Sequence, residues 1–134
     1  MPSLSQPRSL STPGLNFIKS FEQLRLTVYL DQAGRPTIGF GHLLTSGEAF
    51  PGGITNAQAF AVLAKDLELA ERSILYLVCN QGRADAVTLT QYEFDALVSL
   101  VFNIGAGPFR DSTLLKKLRV ADRAGAADEF LRWD

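Results

Sequence analysis

A chain of 134 residues, 46% hydrophobic and 20% charged, can bury a core as one compact domain, arranged as two lobes about a shared helix. A net charge of −1 with no basic run excludes the electrostatic footprint of a nucleic-acid binder. The single cysteine, Cys79, rules out an intramolecular disulfide and suits a reducing compartment, and with His42 as the single histidine no zinc cluster can form within one chain.

The opening MPSLSQPRSLS is rich in Ser and Pro, so a loose arm is expected over 1–11. It lacks the apolar stretch of a signal peptide, and no later segment is long and apolar enough to span a bilayer, so the chain is expected to be soluble and without its own export signal. Thr12 with Pro13 starts a helix. On it Leu15, Ile18 and Glu22 fall at i, i+3 and i+7, which puts an acid in the apolar stripe. From Leu26 the period changes to two, with Val28 and Leu30 opposite Tyr29 and Asp31, and a strand is predicted. QAGRP is turn chemistry. The return strand TIGFGH sets Thr37, Gly39 and Gly41 on one face and Ile38, Phe40 and His42 on the other, leaving one face of the hairpin nearly bare.

TSGEAFPGG reads as a loop, after which Thr55 and Gln58 form a capping box for a helix running to about Val78. Phe60, Leu63, Leu67, Ile74 and Leu77 recur at helical steps, and at 1.5 Å per residue this helix is roughly 35 Å long, enough to join two lobes. CNQGRADAV is a surface connection. Thr90 and Glu93 cap a second apolar helix carrying Phe94, Leu97, Leu100, Val101 and Ile104, which Gly105 and Gly107 stop. Two shorter helices are expected near 112–119 and 122–132. The predicted class is α+β, mostly helical: an arm over 1–11, an N-terminal helix and β lobe over 12–55, a connecting helix over 56–79 and a helical lobe over 80–134.

A carboxylate on a buried helix face is costly unless paired or protonated, so burial should raise the pKa of Glu22 and suit it to act as a general acid. Asp31 has room beside it on the bare hairpin face, and Thr37 on the neighbouring strand could share a water with it. One acid in an apolar setting and one base in a wet one suit glycosidic bond cleavage, although most such pairs are solvated charges or caps. His42 has no G-x-S-x-G turn to serve, and GFGHLL lacks the third glycine of a dinucleotide loop. Tyr29, Phe40 and Phe109 could stack on a sugar, but core packing is the simpler reading, as a solvated helix face is for Lys116, Lys117 and Arg119.

Glu22, Asp31 and Thr37 within FEQLRLTVYLDQAGRPTIGFGHLLTSGE resemble the catalytic segment of phage-type lysozymes, the muramidase endolysins. The likeness continues through KDLELAE, LTQYEFDALVSLVFNIGAGPF, STLLKKL and AADEFLRW. It implies a lysozyme-like fold, a small β-hairpin lobe and a helical lobe joined by the long helix, with peptidoglycan glycan strands bound between the lobes and no cofactor. By this resemblance Glu22 is the acid, and Asp31 with Thr37 holds the water that attacks the β-1,4 bond between N-acetylmuramic acid and N-acetylglucosamine, with inversion. A similar contrast between two carboxylates is known from a lysozyme of another type, so that division of labour is borrowed. The resemblance also implies that Tyr29, Gly39 and Gly41 lie beside the sugar, that Asn103 and Gly105 end the helix lining the opposite wall, and that His42 pairs with Asp66. Such enzymes are made in the cytoplasm and reach the cell wall after release by another factor.

Phage-type lysozymes usually continue past the closing tryptophan into a basic stretch and a further helix, whereas this sequence stops one residue after Trp133. An arginine from that stretch commonly pairs with the catalytic glutamate, and no residue here matches it. The expectation is a helical lobe whose Phe94, Leu97, Leu100, Val101, Leu114, Leu118, Phe130 and Trp133 cannot all be covered, leading to self-association or to a monomer that binds hydrophobic dyes. The alternative to an enzyme is a non-catalytic wall-binding remnant.

Overall fold

The structure, a computed structural model, describes residues 6–80 and 82–131, apart from the side chains of Phe21 and Leu131. The residues form two compact units, one of Leu15–Glu68 and the other of the segments on either side. The boundaries fall inside helices α1 (Thr12–Phe21) and α2 (Asn56–Leu77).

In the Leu15–Glu68 unit, α1 stops at Phe21, so Glu22 stands just past the helix and not within its stripe. The Glu22 amide still donates to the Ile18 carbonyl at 3.3 Å, extending the last turn by one bond. Three antiparallel strands follow in the order β1 (Arg25–Leu30), β2 (Pro36–Gly39) and β3 (His42–Leu43). The single return strand expected over 37–42 is therefore two strands. Gly39 (φ +68°) and Gly41 (φ +81°) take left-handed conformations that extended backbone does not allow, and the chain reverses between them. Tyr29 pairs with Thr37, which pairs in turn with Leu43, so these three residues cross the sheet in one row. β1 is less covered than its alternation suggests, since Leu26, Val28 and Leu30 are all exposed. Ile18, Ile38, Phe40, Ile54, Ala59, Leu63 and Leu67 are buried.

Helix α2 begins as expected: the Gln58 side chain accepts from the Thr55 amide at 2.8 Å, and Thr55 Oγ1 accepts from the Gln58 amide at 3.1 Å. Its buried stripe is Ala59, Leu63, Leu67, Ala70 and Ile74, spaced by four, four, three and four residues. Phe60, expected on that stripe, is exposed and stacks on Phe40 at 5.1 Å between centroids, with the Lys19 ammonium 4.6 Å from its ring centre.

In the other unit, α3 (Gln91–Ile104) carries the expected capping box of Thr90 and Glu93 and buries Phe94, Leu97, Val98, Leu100 and Val101. Gly105 ends it at φ +91°, whereas Gly107 lies inside a further short helix, α4 (Ala106–Arg110), and is not a stop. Ser112 caps α5 (Thr113–Arg119), and α6 (Arg123–Leu131) follows. Residues 6–11 are not a loose arm. The Leu10 amide donates to Glu71 at 2.6 Å, the Leu89 amide to Gln6 at 2.8 Å, and the Ser11 amide and hydroxyl both donate to Asp95. Composition carries no signal of this, because the partners of the segment lie more than sixty residues along the chain.

Phe94, Leu97, Leu100, Val101, Leu114 and Leu118 are each at most 5% exposed, so most of the apolar lobe closes on itself. A cavity of about 430 Å³ remains, bordered by Leu89, Tyr92, Leu97, Leu118, Ala127 and Phe130. Trp133 lies outside the described residues.

Candidate active site

Glu22, Asp31, Thr37, Tyr29, Gly39 and Gly41 all fall in the Leu15–Glu68 unit, together with His42 and Asp66. Asn103, exposed in the last turn of α3, and Gly105, its cap, belong to the other unit.

Two carboxylates in this unit sit in opposite environments. Glu22 is half-buried against the bare backbone of Gly41: a β-carbon built on that glycine would lie 2.7 Å from Glu22 Oε2. Burial pushes its pKa above the ordinary glutamate value, because removal from water disfavours the charged form. No cation pairs with it among the described residues.

Asp31 is held by the turn it begins. Its Oδ1 accepts from the amides of Ala33 and Arg35, each at 2.9 Å, and its Oδ2 accepts from the Arg35 guanidinium at 2.9 Å. The Arg35 amide does most to hold the carboxyl below its ordinary value, and with the Arg35 side chain and the Ala33 amide it outweighs the opposing effect of desolvation. A carboxylate has about four lone-pair positions, so three bonds leave one for a water or a substrate hydroxyl.

Thr37 is 1% exposed and its hydroxyl donates to the Arg35 carbonyl at 2.8 Å. With its proton committed, the hydroxyl has only acceptor capacity left. The same carbonyl also accepts from the Asp31 amide at 3.0 Å, so the Arg35 peptide ties Asp31 and Thr37 to one turn.

Tyr29 lies within electrostatic reach of both carboxylates. Burial raises the pKa of its phenol, the Glu22 charge raises it further, Arg25 opposes and Asp31 adds a smaller push. Both carboxylates therefore act on one hydroxyl. The Arg25 guanidinium lies 4.9 Å from the centre of the Tyr29 ring, which holds the ring from one face. Phe40 and Phe109, the other aromatic candidates, are buried.

The two glycines expected beside a sugar face different neighbours. The space over Gly41 is filled by Glu22, whereas a β-carbon on Gly39 would touch Ile54 and Ala59 at 3.7–3.8 Å, in the apolar layer.

His42 has two acidic partners. Its Nδ1 is 2.7 Å from Asp66 Oδ2, and its Nε2 is 2.9 Å from Glu48 Oε1. Burial works to lower the imidazole pKa, but the hydrogen bonds from Glu48 and Asp66 outweigh it and the net direction is upward. Glu48 also accepts from the Thr45 amide at 2.7 Å, and this bond followed by the one to His42 holds its carboxyl at about 2. Sequence reasoning missed Glu48. The signal was present in TSGE, a Thr with a Glu three residues later, the spacing of a capping box used here to close a loop.

The basic cluster is largely structural. Lys117 meets Glu129 at 3.2 Å and Arg119 donates to the Leu77 carbonyl at the end of α2 at 2.9 Å. Among the described residues no group of three or more metal-ligating side chains is assembled.

A family model described as phage lysozyme matches residues 19–134. The endolysin of Acyrthosiphon pisum secondary endosymbiont phage 1 is 44% identical over 126 residues, covering 92% of this chain and 79% of that protein. The endolysin of Salmonella phage P22 is 39% identical over 127 residues, covering 92% and 82%. Among solved structures, the endolysin from Escherichia coli O157:H7 phage FAHEc1 superposes with a TM-score of 0.77 at 36% identity, covering 96% of this chain and 79% of that one. The chain belongs to the phage lysozyme family, whose members are enzymes that hydrolyse peptidoglycan.

Proposed function

We propose that the chain cleaves the β-1,4 bond between N-acetylmuramic acid and N-acetylglucosamine, with Glu22 as general acid and Asp31 and Thr37 positioning the attacking water. The contrast between the two carboxylates carries this reading. Glu22, desolvated against Gly41, keeps its proton to higher pH and can give it to the leaving oxygen. Asp31, stabilised as an anion by the Arg35 and Ala33 amides, keeps a lone pair for a proton of the water. Thr37, its own proton spent on Arg35, accepts the other. Tyr29 and Gly41 border the reacting groups, and Asn103 and Gly105 are further substrate-binding residues in this reading. Water attack from the Asp31 side would invert the anomeric centre, which NMR of the fresh product reads directly.

Clearing of purified peptidoglycan by parent and Glu22→Gln is the test. Loss of a positioned general acid lowers rates by about 10²–10⁴-fold. If both proteins clear walls equally slowly, the chain is the non-catalytic binding remnant instead.

Synthesis in the cytoplasm with release to the wall by another factor belongs to the same proposal, and cell fractionation before lysis tests it. No helix among the described residues is long and apolar enough to cross a membrane. Self-association through the helical lobe rests on the open cavity beside Tyr92, Leu118 and Phe130, and sedimentation across a concentration series decides it.

A further inference from the structure

We infer that Gly41 is a positioning residue for Glu22: its missing side chain is the seat in which the carboxylate rests, and its two neighbours hold that seat still. The inference rests on the proposed role of Glu22 as the acid.

The backbone of Gly41 approaches the carboxylate closely from one side. A β-carbon on Gly41 would lie 2.7 Å from Oε2, 3.3 Å from Cδ and 3.7 Å from Oε1, so no L side chain fits while Glu22 stays where it is. The first of these separations is well inside van der Waals contact, and the group it meets is the functional end of the side chain. Gly41 also supplies the conformation, at φ +81°, that turns β2 into β3 beneath the carboxylate.

The seat is anchored on both sides. Phe40 is 7% exposed and stacks on Phe60, tying one flank to α2. His42 ties the other flank to Asp66 on α2 and to Glu48 in the following loop, and the Phe50 ring meets the imidazole edge-on at 6.5 Å between centroids. The backbone of this turn sets where the Glu22 carboxylate can lie. It shields one side of the carboxylate from water, which favours the protonated form.

The test must separate loss of the seat from the strain that any alanine meets at positive φ. Gly52 (φ +78°) has no atom within 4 Å of its built β-carbon, so Gly52→Ala carries the strain without the clash. The measurements are clearing rate against pH on purified peptidoglycan and melting temperature, for Gly41→Ala, Gly52→Ala, Glu22→Ala and the double variant Gly41→Ala/Glu22→Ala. Gly41→Ala is expected to clear at least tenfold more slowly than Gly52→Ala. Its alkaline limb should move to lower pH, because a carboxylate pushed into water loses the burial that raised its pKa. Because the atoms met are the free end of a side chain, the melting-temperature loss of Gly41→Ala beyond that of Gly52→Ala should be small, and it should disappear in the Glu22→Ala background, where those atoms are gone.

The inference is overturned if Gly41→Ala matches Gly52→Ala in rate and melting temperature, if its alkaline limb does not move down, or if its extra thermal loss persists without Glu22. Should Gly41→Ala fail to fold, a folded double variant supports the seat and an unfolded one overturns it. The thermal arm does not depend on catalysis. A parent no faster than Glu22→Gln would therefore end the proposed function while the seat was still read from melting.

Discussion

The two units use their residues for different ends. Six of the seven glycines at positive φ fall in Leu15–Glu68, together with Glu22, Asp31 and the ionic cluster around His42. Among the described residues, eight of the ten largest fully buried side chains fall in the other unit, among them Phe94, Phe109, Leu114 and Leu115. Apolar packing is non-directional and dominates stability, whereas turns, bidentate hydrogen bonds and close backbone approaches fix the direction of a few polar atoms. Stability and chemistry can therefore be broken separately. The largest expected effect is on stability. Phe94→Ala removes a ring that is 0% exposed and should cost about 3–5 kcal/mol, seen as a lower chemical-denaturation midpoint. The clearing rate per folded molecule should stay within a factor of a few. A loss of specific activity as large as that of a site variant would show that the two roles are not separable.

Asp31→Asn attacks the comparison from the other side. The amide oxygen can still accept from Ala33 and Arg35, but the charge and the Arg35 ion pair are lost, so melting should fall by a few degrees at most. Clearing should fall by about 10²-fold or more, as for loss of a positioned base. Full residual clearing would leave Asp31 as nothing more than the cap of its turn.

The smallest effect depends on pH. The folded pKa of His42 is raised, so the stabilisation from its ion pairs is complete below the unfolded value of about 6.5 and is lost as pH rises through the folded value. Glu48 is lowered to about 2, so its share is present above its ordinary value and is lost only as pH falls toward that figure. Between these limits both shares are present. His42→Asn should cost about 1.5–3 kcal/mol near pH 5.5 and distinctly less near pH 9, read from denaturation midpoints. An equal cost at both pH values would mean that the imidazole is held neutral.

The sequence was most informative where the chemistry is local. Both capping boxes, at Thr55 and Thr90, start helices where the spacing predicts them, because a cap needs only residues three apart. It was least informative where a distant partner or a special backbone angle decides. Period-two alternation over 37–42 cannot reveal that Gly39 and Gly41 are left-handed, and so one predicted strand became two. For the same reason bare glycines could be placed on a face but not assigned a neighbour: Gly41 turns out to face Glu22, and Gly39 the apolar layer. The spacing of Leu15, Ile18 and Glu22 predicts a place in the helix stripe for Glu22. Its partial burial comes with a position one residue beyond the helix, so burial raises its pKa from a different element than the stripe implies.

The opposite protonation of Glu22 and Asp31 is the centre of the account, and carboxyl ¹³C NMR titration of the free protein measures it most directly. Selective labels assigned with Glu22→Gln and Asp31→Asn would follow both side chains between about pH 2 and pH 9, spanning their ordinary values of about 4.3 and 3.9. The account predicts Glu22 titrating above its ordinary value and Asp31 below its own, leaving an interval in which one is protonated and the other ionised. Glu22 titrating at or below Asp31 would contradict it.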